Sequence, residues 1–251
     1  MPRTLSKSNG AAPTVHDLAP DEQEVMPVMP QKGRGRKAAD VQVQIKVPQF
    51  DELKIQVYGT ADLLVHKFSE KAKQELLDKH MKKVRQAREA KVPFEDFKGS
   101  LHVMPGREAF VKKLPKLETG EFWKYYANTF CFPTSGFKKA MLTATKLIEG
   151  VSRPMVALNI RLLGYETPLI YQRLVMHQAM VRVGNFPNKV PDVRFRGSFE
   201  GWSAQLHIRF NTAFFNKEQI VALVEYAGMV GLGENRPEKE GELGTFTAQK
   251  N

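Results

Sequence analysis

The chain carries a single cysteine, Cys131, among 251 residues. One thiol excludes an internal disulfide framework and a cysteine-based zinc cluster. No uninterrupted apolar run is long enough to span a bilayer, and no apolar signal-peptide core stands near the N-terminus; a cytoplasmic setting is therefore expected. Acid is scarce relative to base: 27 Asp and Glu face 38 Lys and Arg, a formal net charge of +11. That excess points to a polyanionic partner, nucleic acid first, while a merely soluble basic protein would show the same balance.

Enzymatic motifs are missing too. There is no Gly-x-x-x-x-Gly-Lys-Ser/Thr loop for a triphosphate and no Gly-x-Ser-x-Gly nucleophile elbow. The histidines, His16, His66, His80, His102, His177 and His207, form no helical metal-ligand pair. Cys131 sits in an aromatic, apolar stretch without a neighbouring base and is expected in the core. Asp62 follows a strand, where a catalytic acid could stand, but it is a lone carboxylate. No enzyme, cofactor or metal is expected.

What is present begins with residues 1 to about 40, a proline-punctuated flexible tail with no sustained apolar period. An acidic patch there (Asp21, Glu22, Glu24) precedes a basic, glycine-loosened run from Lys32 to Lys37. A single α+β domain is expected over residues 41–251, with a loop-rich insertion around 91–121. Val41, Val43, Ile45 and Val47 alternate with polar residues, and Leu53, Ile55 and Val57 repeat the pattern against Lys54, Gln56 and Tyr58, the mark of half-buried strands. An amphipathic helix is predicted over about Ser69 to Ala90. Its apolar stripe opposes a lysine- and arginine-rich face that includes Lys82 and Arg85.

The segment Phe132-Pro133-Thr134-Ser135-Gly136-Phe137-Lys138-Lys139 reads as a turn that opens a helix running to Glu149. Thr134 or Ser135 can cap it, and its free N–H groups beside Lys138 and Lys139 suit a phosphate. An ordinary capped helix with surface lysines reads the same way. An aromatic strand is predicted from Phe122 to Phe132, with Phe122, Trp123, Tyr125 and Tyr126 either available for base stacking or in the core. Met155 to Leu163 and Leu174 to Val183 read as buried strands.

Residues 192–199 and 202–210 both alternate and together predict an antiparallel hairpin. Paired so, Arg194, Arg196, His207 and Arg209 share one sheet face, which could carry a nucleic-acid backbone or simply face solvent. Asn216 with Gln219 forms a capping box for a helix reaching about Val230. Gly231-Leu232-Gly233 ends that helix and allows close backbone approach, to another element or to a phosphate. A charged loop containing Arg236 and a short last strand near Phe246 follow.

In this order the pieces resemble the RAMP superfamily, the RNA-recognition-motif-like subunits that form the backbone of multisubunit CRISPR surveillance complexes. The resemblance rests on the strand Leu53 to Gly59, the long helix, the Phe-Pro-Thr-Ser-Gly-Phe-Lys-Lys turn-helix, the closing helix and Gly231-Leu232-Gly233. The segment Gly59 to Phe68 and the ending Gly-Leu-Gly-Glu-Asn-Arg-Pro also resemble a group of uncharacterised bacteriophage proteins. The likeness implies a ferredoxin-like sheet with insertions and a bacterial host cytoplasm. It also implies a non-enzymatic protein binding single-stranded RNA or DNA, with copies lined along the strand as a homo-oligomeric filament. Candidate nucleic-acid contacts are Ser135, Lys138, Lys139, Arg194, Arg196, Arg209, Lys82 and Arg85. Gly231, Gly233 and Arg236 are candidates for the loop or for oligomerisation; Glu234, Glu238, Glu240 and Glu242 make that loop acidic and favour a neighbouring subunit over phosphate. The rival class is a viral assembly protein that oligomerises without nucleic acid, and a third is a nuclease using Asp62.

Overall fold

The structure, a computed structural model, describes residues 47–67, 77, 81, 92–183 and 190–250. The described residues fall in one compact unit. The basic run at 32–37, the first alternating segment and, apart from Leu77 and Met81, the helix expected over 69–90 lie outside the described residues; so do Lys82 and Arg85.

Alternation builds the principal sheet. In β1 (Phe50–Gly59) Ile55 and Val57 are buried while Lys54 and Tyr58 are exposed. In β9 (Ser203–Asn211) Ala204, Leu206, Ile208 and Phe210 are buried. The two strands pair antiparallel from Phe50↔Asn211 to Tyr58↔Ser203. The strand β10 (Phe246–Lys250) joins the other edge of β1, and β6 (Glu166–Ile170) and β4 (Cys131–Pro133) extend the sheet beyond β9. A short strand β5 (Ile160–Leu162) also pairs with β9.

One face of this sheet is covered by α3 (Thr134–Ala144) and α5 (Lys217–Val230). Phe137, Ala140, Met141 and Ala144 of α3, and Ile220, Leu223, Val224 and Ala227 of α5, share one core with Ile55, Val57 and Leu206. Asn216 caps α5 as expected: its side chain accepts from the Gln219 backbone N–H while the Gln219 side chain accepts from the Asn216 N–H. Because α5 connects β9 to β10 and β1 lies between them, the order β10-β1-β9-β6 is the split βαβ arrangement of a ferredoxin-like sheet. The fold is α+β and the described sheets are antiparallel.

A second sheet has the order β2-β8-β7-β3, from β2 (Leu63–Leu64), β8 (Val190–Glu200), β7 (Arg173–Val183) and β3 (Phe122–Lys124). Here the predicted hairpin fails. The strand over 192–199 pairs with β7 along its whole length, from Arg173↔Glu200 to Val183↔Val190, and the strand over 202–210 pairs with β1. Alternation records which face is buried; it does not name the neighbour.

Three further expectations are corrected. Met155 to Leu163 is a helix, α4 (Arg153–Asn159), before β5; Ser152 accepts from the Met155 N–H as its cap, and a short apolar run does not separate helix from strand by period alone. The aromatic strand over 122–132 breaks at Asn128 (φ 49°), so that β3 and β4 enter different sheets. The helix expected up to Glu149 gives way at Thr145–Leu147 to a 3₁₀ turn. Within 91–121, the insertion expected to be loop-rich, Pro93 opens α1 (Pro93–Ser100), whose Phe94 and Phe97 are buried, and α2 (Glu108–Lys112) follows. Among the described residues no helix is long and apolar enough to cross a membrane.

Candidate nucleic-acid interface

The start of α3 is docked on its own chain. Pro133 occupies the cap position without a side-chain hydrogen bond, so neither Thr134 nor Ser135 is the cap. Thr134 is the first helical residue; its N–H donates to the Tyr165 carbonyl at 3.0 Å and its hydroxyl pairs with that of Thr167 at 2.9 Å. Ser135 and Lys139 remain exposed. Lys138 does not. Its Nζ donates to the carbonyls of Val156 at 2.7 Å and Ile160 at 2.5 Å, holding the C-terminal end of α4. Burial, with Arg161 nearby, lowers its pKa to about 8. Lys138 is thus tied to α4, a segment whose apolar run reads as a strand in the sequence.

Arg209 is exposed on the sheet face opposite α3 and α5. Directly opposed residues of an antiparallel pair share a face. Glu52 and Arg161 flank Arg209, Lys54 stands opposite His207, Gln56 opposite Gln205 and Tyr58 opposite Ser203. The Phe50 ring, 41% exposed, lies under the Arg209 guanidinium at 4.8 Å, and the Tyr58 ring is 42% exposed. Glu52 pairs with His207 at 2.8 Å. Three cations, Lys54, Arg161 and Arg209, thus face outward with one carboxylate among them. Lys54 and Tyr58 were legible as outward-facing from the alternation of β1. Arg161 was hidden in the supposed buried strand, and Phe50 lay ahead of the strand's expected start.

The other aromatic candidates divide. Trp123 is buried, with Nε1 donating to the Pro115 carbonyl at 3.0 Å. Tyr126 packs edge-on against Phe110, while Phe122 and Tyr125 are partly exposed, Phe122 beneath Arg173.

Arg194 and Arg196 are not on Arg209's sheet. They share a face of β8 in the second sheet, opposite Ala179 and His177. Arg194 reaches Asp192 at 3.4 Å and the His66 ring at 3.4 Å. Arg196 is buried, and among the described residues its nearest carboxylate, Glu234, is 3.9 Å away. Burial, then Arg196 and Arg194, lower the His66 pKa.

The C-terminal glycines approach protein backbone. A Cβ on Gly233 (φ 70°) would collide with the Leu64 carbonyl oxygen, and the Glu234 N–H donates to that oxygen at 2.8 Å. Gly231 (φ 77°) ends α5. Arg236 is engaged inside the loop, with the Gly233 carbonyl at 2.7 Å and Glu238 at 2.7 and 2.9 Å. Asp62, the nuclease candidate, has its carboxyl pKa raised by burial and by Glu200. Among the described residues no three metal-ligating side chains gather to hold an ion.

No family model matches the chain, and no curated protein matches it. Among solved structures it is similar to a chain of the cryo-EM structure of the Type III-B Cmr-beta bound to cognate target RNA. Identity is 10% and the TM-score 0.45, over 80% of this chain and 60% of that one, so the match spans less than two thirds of that chain's length.

Proposed function

We propose that this chain binds single-stranded nucleic acid on the open face of its ferredoxin-like sheet. The observation that carries the reading is the combination of Lys54, Arg161 and Arg209 with two half-exposed rings, Phe50 and Tyr58, on the face opposite α3 and α5. Phosphates are neutralised by the cations, and bases stack on the rings, which needs no base-specific hydrogen bond and no chemical step. The rings are eight residues apart on β1, about 27 Å at strand rise, room for a strand of several nucleotides. The ferredoxin-like order supports a RAMP-like backbone subunit with copies repeated along the strand. Ser135 and Lys139, exposed at the start of α3, are secondary phosphate contacts in this reading, and the loop at Gly231, Gly233 and Arg236 is a surface for the next copy.

The test is fluorescence anisotropy of a labelled oligonucleotide at rising salt. On a single strand, each phosphate that a cation neutralises adds about 0.7 to the slope of log affinity against log salt. Replacing both Lys54 and Arg209 by Gln is expected to reduce that slope by about 1.4. A folded double variant with unchanged affinity and slope refutes the sheet-face reading. Assembly without nucleic acid is the second reading, favoured by the exposed apolar side chains Leu158, Met180 and Met229. It predicts stable oligomers of nuclease-treated protein with no saturable strand binding.

A further inference from the structure

Arg196 stands in the middle of β8 with only 7% of its surface exposed. Buried guanidinium groups are ordinarily held by short, paired contacts to a carboxylate or phosphate. This one is not. Glu234 lies beyond hydrogen-bond distance at 3.9 Å, and the buried Nε–H has no acceptor among the described residues. Arg194, two residues back on the same face and more exposed, brings a second guanidinium, its Nε 3.4 Å from Asp192 and its Nη1 3.4 Å from the His66 ring at the rim. A buried donor without an acceptor calls for a specific cause, and a bound ion is one of the recognised causes.

We infer that Arg194, Arg196 and His66 form a site for a phosphate group, separate from the open sheet face. Phosphate oxygens would accept from the Arg196 guanidinium inside and from Arg194 at the rim. Glu234, whose side chain is 34% exposed, acts as the resident competitor and turns to solvent when phosphate binds. The site takes a phosphate monoester or diester. Naming a nucleic-acid strand as its source rests on the function proposed above; the binding of phosphate itself does not.

The experiment follows the arginine Nε–H signals of the full chain by ¹⁵N-edited NMR. The probes are inorganic phosphate and one oligonucleotide carrying either a 5′-phosphate or a 5′-hydroxyl. The expected result is a saturable shift of the Arg196 Nε–H with phosphate. Arg194→Gln should weaken that response at least about tenfold, and Glu234→Gln should strengthen it. A shift with only the phosphorylated oligonucleotide identifies a strand end, and equal shifts with both identify internal diesters. No saturable shift with any probe overturns the inference, as does a Glu234→Gln variant that binds phosphate no better than wild type. With Lys54 and Arg209 replaced by Gln the phosphate shift must persist; its loss would mean there is no separate site. Should that double variant bind the oligonucleotide like wild type while the phosphate shift persists, the sheet-face reading fails and this site stands.

Discussion

Replacing Lys138 by Met tests whether this lysine is a structural clamp or a ligand contact. The ammonium donates to two carbonyls at the end of α4, at 2.7 and 2.5 Å. Hydrogen bonds from a charged donor contribute about 1.5–3 kcal/mol each. Two effects reduce the loss: methionine relieves the burial cost of the charge, and the Val156 carbonyl keeps its bond from the Ile160 N–H. A net destabilisation of about 2 kcal/mol is expected, which lowers the melting temperature by roughly 4–8 °C in a unit of this size. Lys139→Met, one residue on and exposed, should stay within about 0.5 kcal/mol. The pH dependence gives a second readout. The folded-state pKa is about 8, against about 10.4 for a free lysine. Between those values the unfolded chain holds a proton that the folded chain has released, so wild-type stability gains with rising pH. Urea denaturation at pH 7.5 and pH 10 should therefore show the gap between wild type and Lys138→Met widening. A gap that is absent at both pH values, or that closes at pH 10, refutes the clamp. So would loss of strand binding by a Lys138→Met protein shown to be folded.

Other outcomes follow from single contacts. Phe50→Ala and Tyr58→Ala should each weaken oligonucleotide binding by about 1–3 kcal/mol with little change in salt slope, because stacking is removed while the cations remain; anisotropy titrations at two salt concentrations check this. Asn216→Ala removes the capping box of α5 and should cost about 1 kcal/mol in a urea melt. Gly228→Ala, which in an open helix would stabilise by about 1 kcal/mol, should instead destabilise, since its Cβ would collide with the Phe246 carbonyl of β10; a raised melting temperature would contradict the packing of α5 against β10.

Local pattern carried much of the fold. The alternation of β1 and β9 marks Ile55, Val57, Leu206 and Ile208 as core, and the Asn216–Gln219 box marks the start of α5; both are as the sequence reads them. What stayed illegible is tertiary. The run 155–163 is too short and too apolar for its period to separate strand from helix, and that one ambiguity hid both Arg161 and the partner of Lys138. The helix α1 within 91–121 depends on Phe94 and Phe97 packing against Trp123 of the second sheet, a contact with long sequence separation.

The same limit explains the fate of the arginines. Arg194, Arg196 and Arg209 sit on strands with matching alternation, so pattern alone makes them companions. Backbone pairing separates them: β8 is taken up by β7 and β2, and β9 by β1, β5 and β6. Pairing also changes their chemistry. On β9, Arg209 lies over Phe50 at the open surface, where a guanidinium costs little to keep solvated. On β8, Arg196 is enclosed, and a charge whose Nε–H has no acceptor among the described residues is unfavourable there unless an anion completes it. Identical residue types on similar strands thus acquire different work from the strand beside them, so a basic composition can indicate a polyanion while leaving open which cations meet it.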